Sequence, residues 1–199
     1  MFESSKSIFR KLNDSRYATR FLIGNGIDIG AGNDSLTQYR EFFPLMQSCR
    51  GWDIEDGDAQ YMHTISDDSY DFVHSSHCIE RLEDPYTAMA NWVRILKPGG
   101  HLICLVPDED LYEQRIFPSL FNPDHKRTFT IYKRNSWCQL SVNIFDLLSS
   151  IKYDISVLKI ELLDSTYRYS LLNASSPTKY DQTSSPIGEA SIEIVIKKL

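Results

Sequence analysis

The sequence lacks the features that mark several classes of protein. It has no run of about 18 apolar residues, so no segment is expected to span a membrane. No apolar segment follows the first charged residues, so no signal peptide is expected. Its four cysteines include no C-x-x-C pair, which favours a reducing, cytoplasmic location. Those cysteines are Cys49, Cys78, Cys104 and Cys138.

The chain also has no surplus of basic residues. Its 199 residues carry 21 Lys and Arg against 27 Asp and Glu, a net charge of -6. Because phosphate binding favours a basic surface, no nucleic-acid partner is expected. The length and a hydrophobic content of 42% predict one globular domain over residues 1–199.

Apolar runs and helical periods alternate along the chain, which predicts an α/β fold. An amphipathic helical segment is predicted over residues 1–21, as one helix or two short ones. A short helix is expected to end before Pro44. The predicted strands are 22–29, 45–52, 70–74, 102–106, 155–162 and 192–197, with a bulge at Leu158.

The best-marked helix begins after Asp84, a natural N-cap, with Pro85 in the first helical position. Lys97-Pro98-Gly99-Gly100 is expected to end it. The continuous apolar run 102–106 then predicts a strand buried on both faces of a parallel sheet.

The second half of the chain is less regular. Residues 107–137 are interpreted as an insertion over the carboxyl edge of the sheet, on the substrate side. Residues 139–150 are predicted to be helical, and 173–186 to form a long polar loop. The last two strands are expected to form an antiparallel pair.

The segment Asp28-Ile29-Gly30-Ala31-Gly32 is the most informative motif. Two glycines end a buried strand, where the backbone bends sharply and approaches a ligand closely. A carboxylate two residues before the first glycine favours a nucleotide-like ligand that carries positive charge rather than phosphate.

Acids at later positions extend this site. Asp53 follows the second strand and suits a ribose, because one carboxylate accepts hydrogen bonds from both sugar hydroxyls. Asp58 suits an exocyclic adenine amine, and Asp28 suits an ammonium, directly or through water. Four neighbours are expected to line the same site: Ala31, Ile54, Ala59 and Ser75.

These motifs resemble the class I S-adenosylmethionine-dependent methyltransferases, closely over residues 22–107. Further matching segments are Gly57-Asp58-Ala59, Tyr70-Asp71-Phe72-Val73 and Leu96-Lys97-Pro98-Gly99-Gly100-His101-Leu102. The resemblance implies a Rossmann-like, doubly wound, three-layer α/β/α fold. Its seven-stranded sheet would be mostly parallel, with an antiparallel last strand. The implied cofactor is S-adenosylmethionine, and the implied product is S-adenosylhomocysteine.

Two features depart from the family pattern. The gap between Asp53 and Asp58 is too short for the usual intervening helix. Arg81 stands where many members of the similar bacterial subgroup carry histidine.

The candidate catalytic residues are His77 and His125, since a histidine that titrates near neutral pH is suited to remove a hydroxyl proton. Candidates for contact with the acceptor are Asp108, Tyr112 and Lys126. A cation held by His77, Asp108 and His125 is a third possibility, but no tight ligand spacing supports it, and no metal is expected.

The predicted function is methyl transfer to a small-molecule or sugar-containing acceptor, at a hydroxyl. The resemblance adds an expectation of bacterial glycan or secondary metabolism. One alternative is a non-catalytic partner subunit that binds the cofactor or its product. The other is a nicotinamide-dependent oxidoreductase. Ser35 opposes the latter because it replaces the third glycine of G-x-G-x-x-G, and Asp28 and Asp34 would repel a pyrophosphate.

Overall fold

The computed structural model describes residues 3–172 and 179–199. Its strands are Gly24–Ile29 (β1), Met46–Trp52 (β2), Tyr70–Ser76 (β3), Leu96–Pro107 (β4), Thr128–Thr130 (β5), Ser141–Asn143 (β6), Ile155–Leu163 (β7) and Ser191–Lys198 (β8). Its α-helices are Glu3–Asn13 (α1), Pro85–Arg94 (α2) and Ile144–Ser149 (α3). The shorter helical turns are Tyr17–Phe21, Leu36–Phe42, Ile79–Arg81, Tyr169–Leu171 and Gln182–Ser184.

The main sheet has the strand order β2-β1-β3-β4-β8-β7. Strands β1 to β4 are parallel, and β8 runs antiparallel to both of its neighbours. This confirms the doubly wound fold and the reversed last strand. The expectation of seven strands is wrong, because the main sheet of the described residues has six. Residues 53–69, between β2 and β3, form only turns. The chain therefore has no further helix and strand at this point.

Both faces of the sheet are covered. On β4, Leu102 and Cys104 pack in the core cluster that contains Trp92 of α2, whereas Ile103 and Leu105 pack with Ile8 of α1 and its neighbours. Since alternate residues of a strand point to opposite faces, this burial gives three layers. The two-sided apolar run predicted here is confirmed.

Helix α2 begins as predicted. The Asp84 carboxylate accepts hydrogen bonds from the main-chain amides of Tyr86 and Thr87, and Pro85 follows it. The helix ends at Arg94, earlier than expected, and β4 already begins at Leu96. Leu96 already pairs with Tyr70 at the start of β3, so the helix has to end before this residue.

The second half follows the expected plan with one correction. The pairing of β7 with β8 shifts between Val157 and Lys159, which confirms the bulge at Leu158. Within 139–150 only Ile144–Ser149 is α-helical, because Ser141–Asn143 pairs with Thr128–Thr130. Of the polar segment 173–186, residues 173–178 lie outside the described residues.

The N-terminal segment forms two short helical pieces, Glu3–Asn13 and Tyr17–Phe21. No helix within the described residues has the length and apolar character needed to cross a membrane. All four cysteines are free thiols.

Candidate functional site

Two glycines shape the turn after β1. Gly30 has φ +75°, and a Cβ there would lie 2.5 Å from the Cβ of Cys78. Gly32 has φ +50°, and a Cβ there would meet nothing within 4 Å. Gly30 therefore lets the turn pack against the chain that follows β3, whereas Gly32 faces open space.

The end of β2 presents an acid and an apolar side chain to solvent. One oxygen of Asp53 accepts a hydrogen bond from the Gly32 amide at 3.0 Å, and the other accepts from the Ile54 amide at 2.8 Å. Asp53 is exposed, and Ile54 is 88% exposed. Ile54 thus presents an apolar surface beside the open glycine turn and the Asp53 carboxylate.

The next turn, Gly57-Asp58-Ala59, lies on the same side of the site as Asp53. The Asp58 carboxylate accepts from the Gln60 amide at 2.7 Å, and the Trp52 indole donates to the Gly57 carbonyl at 3.2 Å. The buried indole thus holds the Gly57-Asp58-Ala59 turn beside Asp53.

These turns border a cleft of about 770 Å³ at the carboxyl ends of the parallel strands. That position and volume are typical of ligand sites in open α/β sheets. Among the predicted site residues, the lining includes Gly30, Gly32, Asp53, Ile54, Asp58, Ala59, His77 and Lys126.

A smaller polar cavity of about 180 Å³ adjoins the cleft. Asp28, Ala31 and the start of α1, Glu3 and Ser4, contribute to its lining. The two cavities share four lining residues, which are Gly30, Gly32, His77 and Arg81.

The Asp28 carboxylate is turned inward. One oxygen lies 2.6 Å from Nδ1 of His74, and the other accepts from the Ser35 hydroxyl at 2.9 Å and the Leu36 amide at 2.7 Å. Burial alone would raise the pKa of Asp28, but His74 and these hydrogen bonds hold it below its usual value. Protein groups therefore occupy this carboxylate, and its role in holding an ammonium stays a prediction.

His77 lies at the junction of the two cavities, directly after β3. Its φ is +54°, a left-handed conformation that is uncommon for residues other than glycine. Nε2 lies 3.1 Å from the Ser191 hydroxyl and 3.7 Å from a Glu3 oxygen. Nδ1 has no hydrogen-bond partner within residues 3–172 and 179–199, and it lies 3.8 Å from a Glu80 oxygen. Burial lowers the pKa of His77 to about 4, so its imidazole is neutral at pH 7.

His125 lies behind His77 and is buried. Its Nδ1 is 2.7 Å from a Glu113 oxygen, and its Nε2 is 3.7 Å from the same Glu80 oxygen that faces His77. The fold thus brings both predicted histidines to Glu80. Sequence reasoning assigned no role to Glu80 or Glu113, because nothing in the local sequence shows that these carboxylates meet histidines distant in the chain.

Three other predicted residues lie away from the lining of both cavities. The Ser75 hydroxyl is buried and donates to the Ile29 carbonyl at 2.9 Å. Asp108 accepts from the amides of the turn after β4, and burial raises its pKa to about 6. The Tyr112 ring lies 5.2 Å from the His125 ring. For these residues, contact with a ligand stays a prediction.

Lys126 does line the cleft, where its ammonium lies 2.6 Å from the Glu83 carboxylate. Across residues 3–172 and 179–199, no group of three or more His, Cys, Asp and Glu side chains is arranged to hold a metal ion.

Solved structures with this fold include three that cover nearly the whole chain. A S-adenosylmethionine-dependent methyltransferase of Archaeoglobus fulgidus is 16% identical, with a TM-score of 0.61 over 99% of this chain and 96% of its own. The YcgJ protein of Bacillus subtilis is 18% identical, with a TM-score of 0.58 over 94% and 97%. A S-adenosylmethionine-dependent methyltransferase of Listeria monocytogenes is 12% identical, with a TM-score of 0.57 over 100% and 99%.

No curated protein matches the sequence. A family model described as a methyltransferase domain matches residues 7–141, which is more than half of the chain. The chain therefore belongs to the methyltransferase-domain family.

Proposed function

We propose that this methyltransferase binds S-adenosylmethionine in the cleft and methylates a hydroxyl of a small-molecule or sugar-containing acceptor. The observation that carries the proposal is the pairing of an exposed carboxylate with an exposed apolar side chain, Asp53 and Ile54, beside the open turn at Gly32. A ribose needs such an acceptor of hydrogen bonds, and an adenine ring needs such an apolar face.

Different residues of the cleft contact different parts of the cofactor. Asp53 accepts from the ribose hydroxyls, Ile54 and Ala59 contact the adenine ring, and Asp58 accepts from its exocyclic amine. When bound, S-adenosylmethionine supplies an electrophilic methyl group on a sulfonium.

The smaller cavity suits the amino-acid end of the cofactor. Arg81 is exposed there and makes no ion pair within the described part of the chain, so its guanidinium is available to a carboxylate. Glu3 is buried, and only one of its oxygens bonds to Lys6, so the other is available to an ammonium. A zwitterion would thus find one partner of each sign.

The acceptor side is supported by His77, which borders both cavities and is neutral at pH 7. A neutral imidazole is able to take the proton that a hydroxyl loses on methylation. The net charge of -6 favours a small acceptor over a nucleic acid, and the free cysteines favour a reducing cytoplasm.

Calorimetry tests the cofactor assignment. We expect S-adenosylhomocysteine to bind the purified protein and NADH not to bind. Binding of NADH alone would identify a nicotinamide-dependent oxidoreductase, and binding of neither would contradict the proposal. Transfer of a labelled methyl group from S-adenosylmethionine to a panel of sugars and phenols, with amines as the comparison, then tests the acceptor atom. Transfer to amines alone would contradict the hydroxyl assignment.

A further inference from the structure

Unpaired polar atoms gather around Glu80. Among the described residues, both oxygens of this fully buried carboxylate lack a hydrogen-bond partner, and so do His77 Nδ1, one Glu113 oxygen and the Tyr112 hydroxyl. Leaving a buried polar group unpaired costs on the order of 1–3 kcal/mol, and more for a charged group. A cluster of this kind is typical of a functional site rather than of a structural core.

The hydrogen bond between His125 and Glu113 determines which ring nitrogen of His125 carries the proton. At 2.7 Å from a carboxylate oxygen, Nδ1 of His125 is the donor of that hydrogen bond. The other ring nitrogen, Nε2, faces the Glu80 carboxylate at 3.7 Å. His125 thus holds its proton toward Glu113 rather than toward Glu80.

His77 faces the same Glu80 oxygen as His125, and its two ring nitrogens have different surroundings. Nδ1 faces Glu80, whereas Nε2 faces Ser191 and the cavity-lining Glu3. The other charged groups that act on His77 are Lys6 of α1, Arg81 and His125. Glu3 is already paired with Lys6, whereas the Glu80 carboxylate has no hydrogen-bond partner among the described residues. The unpartnered carboxylate therefore favours the tautomer with the proton on Nδ1, and Nε2 then accepts from the Ser191 hydroxyl.

We propose that Glu80 is a positioning residue that keeps the proton of His77 on Nδ1. The Nε2 lone pair, which the Ser191 hydroxyl contacts at 3.1 Å, is then available to a methyl acceptor at the junction of the two cavities. The inference rests on the proposed function and identifies His77, not His125, as the base. The 3.8 Å separation contracts to a hydrogen bond in the loaded enzyme.

The step is balanced in atoms and charge. As the acceptor oxygen bonds to the methyl carbon, the sulfur–methyl bond breaks and its electron pair stays on sulfur. The hydroxyl proton moves to Nε2 of His77. The positive charge of the sulfonium thus passes to the imidazolium, which Glu80 stabilises through the Nδ1 proton, while Glu80 itself takes up no proton.

Kinetics of Glu80→Gln provide one test, with Glu83→Gln as the matched control. The Glu83 side chain is 72% exposed one turn away. The main-chain carbonyl of Glu80, which accepts from the amides of Lys126 and Arg127, is retained in the variant. We expect kcat to fall about 100-fold, the acceptor KM and the affinity for S-adenosylhomocysteine to change less than about twofold, and Glu80→Asp to recover part of the loss.

The pH profile adds a readout that a merely structural role would not change. Because the Glu80 charge raises the pKa of His77 against the effect of burial, its removal moves the acid limb of kcat to lower pH. A control-like kcat in Glu80→Gln, or a loss of cofactor affinity that accounts for the loss of rate, would overturn the proposal.

Nuclear magnetic resonance tests the same idea without any acceptor. Long-range proton–nitrogen spectra of the wild-type protein should show His77 protonated on Nδ1, and Glu80→Gln should shift it toward the other tautomer. An Nε2-protonated His77 in the wild type would overturn the proposal. If the tautomer is as expected but no hydroxyl acceptor is methylated, the proposed acceptor fails while the positioning role of Glu80 stands.

Discussion

His74 and His77 lie three residues apart at the end of the same strand, and both are buried, yet their partners differ. Both ring nitrogens of His74 are paired, with Asp28 at 2.6 Å and with the Lys11 ammonium at 3.0 Å. His77 has one nitrogen without a partner, and it faces a carboxylate that also has none. Burial lowers the pKa of both histidines.

The difference separates a structural network from a functional one. Around His74 the charges of Lys11 and Asp28 are satisfied, and they fasten α1 to the first strand and to the turn at Ser35. A satisfied network of this kind makes one conformation rigid. The incomplete network around His77 borders both cavities, where we expect a ligand to supply the missing partners.

The largest expected effect breaks the satisfied network. Asp28→Ala removes the acceptor of His74, Ser35 and the Leu36 amide at once, so buried partners lose their counter-charge. We expect the free energy of unfolding to fall by about 3 to 5 kcal/mol, measured by urea denaturation. A loss below about 1 kcal/mol would show that the His74 network does not stabilise the fold.

A smaller effect, on ligand affinity rather than on stability, is expected from a substitution in the cleft. Asp53→Ala should weaken the binding of S-adenosylhomocysteine by about 1 to 3 kcal/mol in calorimetry, the scale of hydrogen bonds to a charged group. Its exposed neighbour Glu55 gives the matched control, Glu55→Ala, with the dissociation constant unchanged. Equal affinities for the wild type and Asp53→Ala would refute the ribose assignment.

The pH dependence of stability distinguishes His77 by its low pKa. The folded pKa of about 4 lies below the ordinary value of 6.5, so the unfolded state binds more protons between these values. Stability that His77 contributes is therefore present above pH 6.5 and is lost as the pH falls toward 4. Compared with wild type, His77→Asn should reduce the slope in this window by about 1.4 kcal/mol per pH unit. Parallel curves for the two proteins would contradict the low pKa.

The part of the cleft formed by the turns after β1 and β2 could be predicted from the sequence because its motifs are local. Gly30 and Gly32 follow a strand directly, and Asp53 follows the next one, so parallel pairing brings them to one edge. The methyltransferase assignment made on these motifs is confirmed by the family match over residues 7–141.

The part around Glu80 could not be predicted in the same way. Glu113 and His125 belong to a segment of turns without periodicity. Contacts such as the hydrogen bonds from the Lys126 and Arg127 amides to the Glu80 carbonyl, which no local pattern predicts, bring this segment to the strand end. The number of strands could not be predicted either. The family resemblance implies seven strands, and it does not show that residues 53–69 form only turns, which leaves six.

The most direct measurement follows the ring resonances of both histidines as S-adenosylhomocysteine is added to the wild-type protein. We predict that the His77 signals shift, because this residue borders the cleft and the smaller cavity. The His74 signals should stay in place, because its two nitrogens are already paired within the protein. Binding that moves the His74 signals and leaves those of His77 unchanged would contradict the placement of the site.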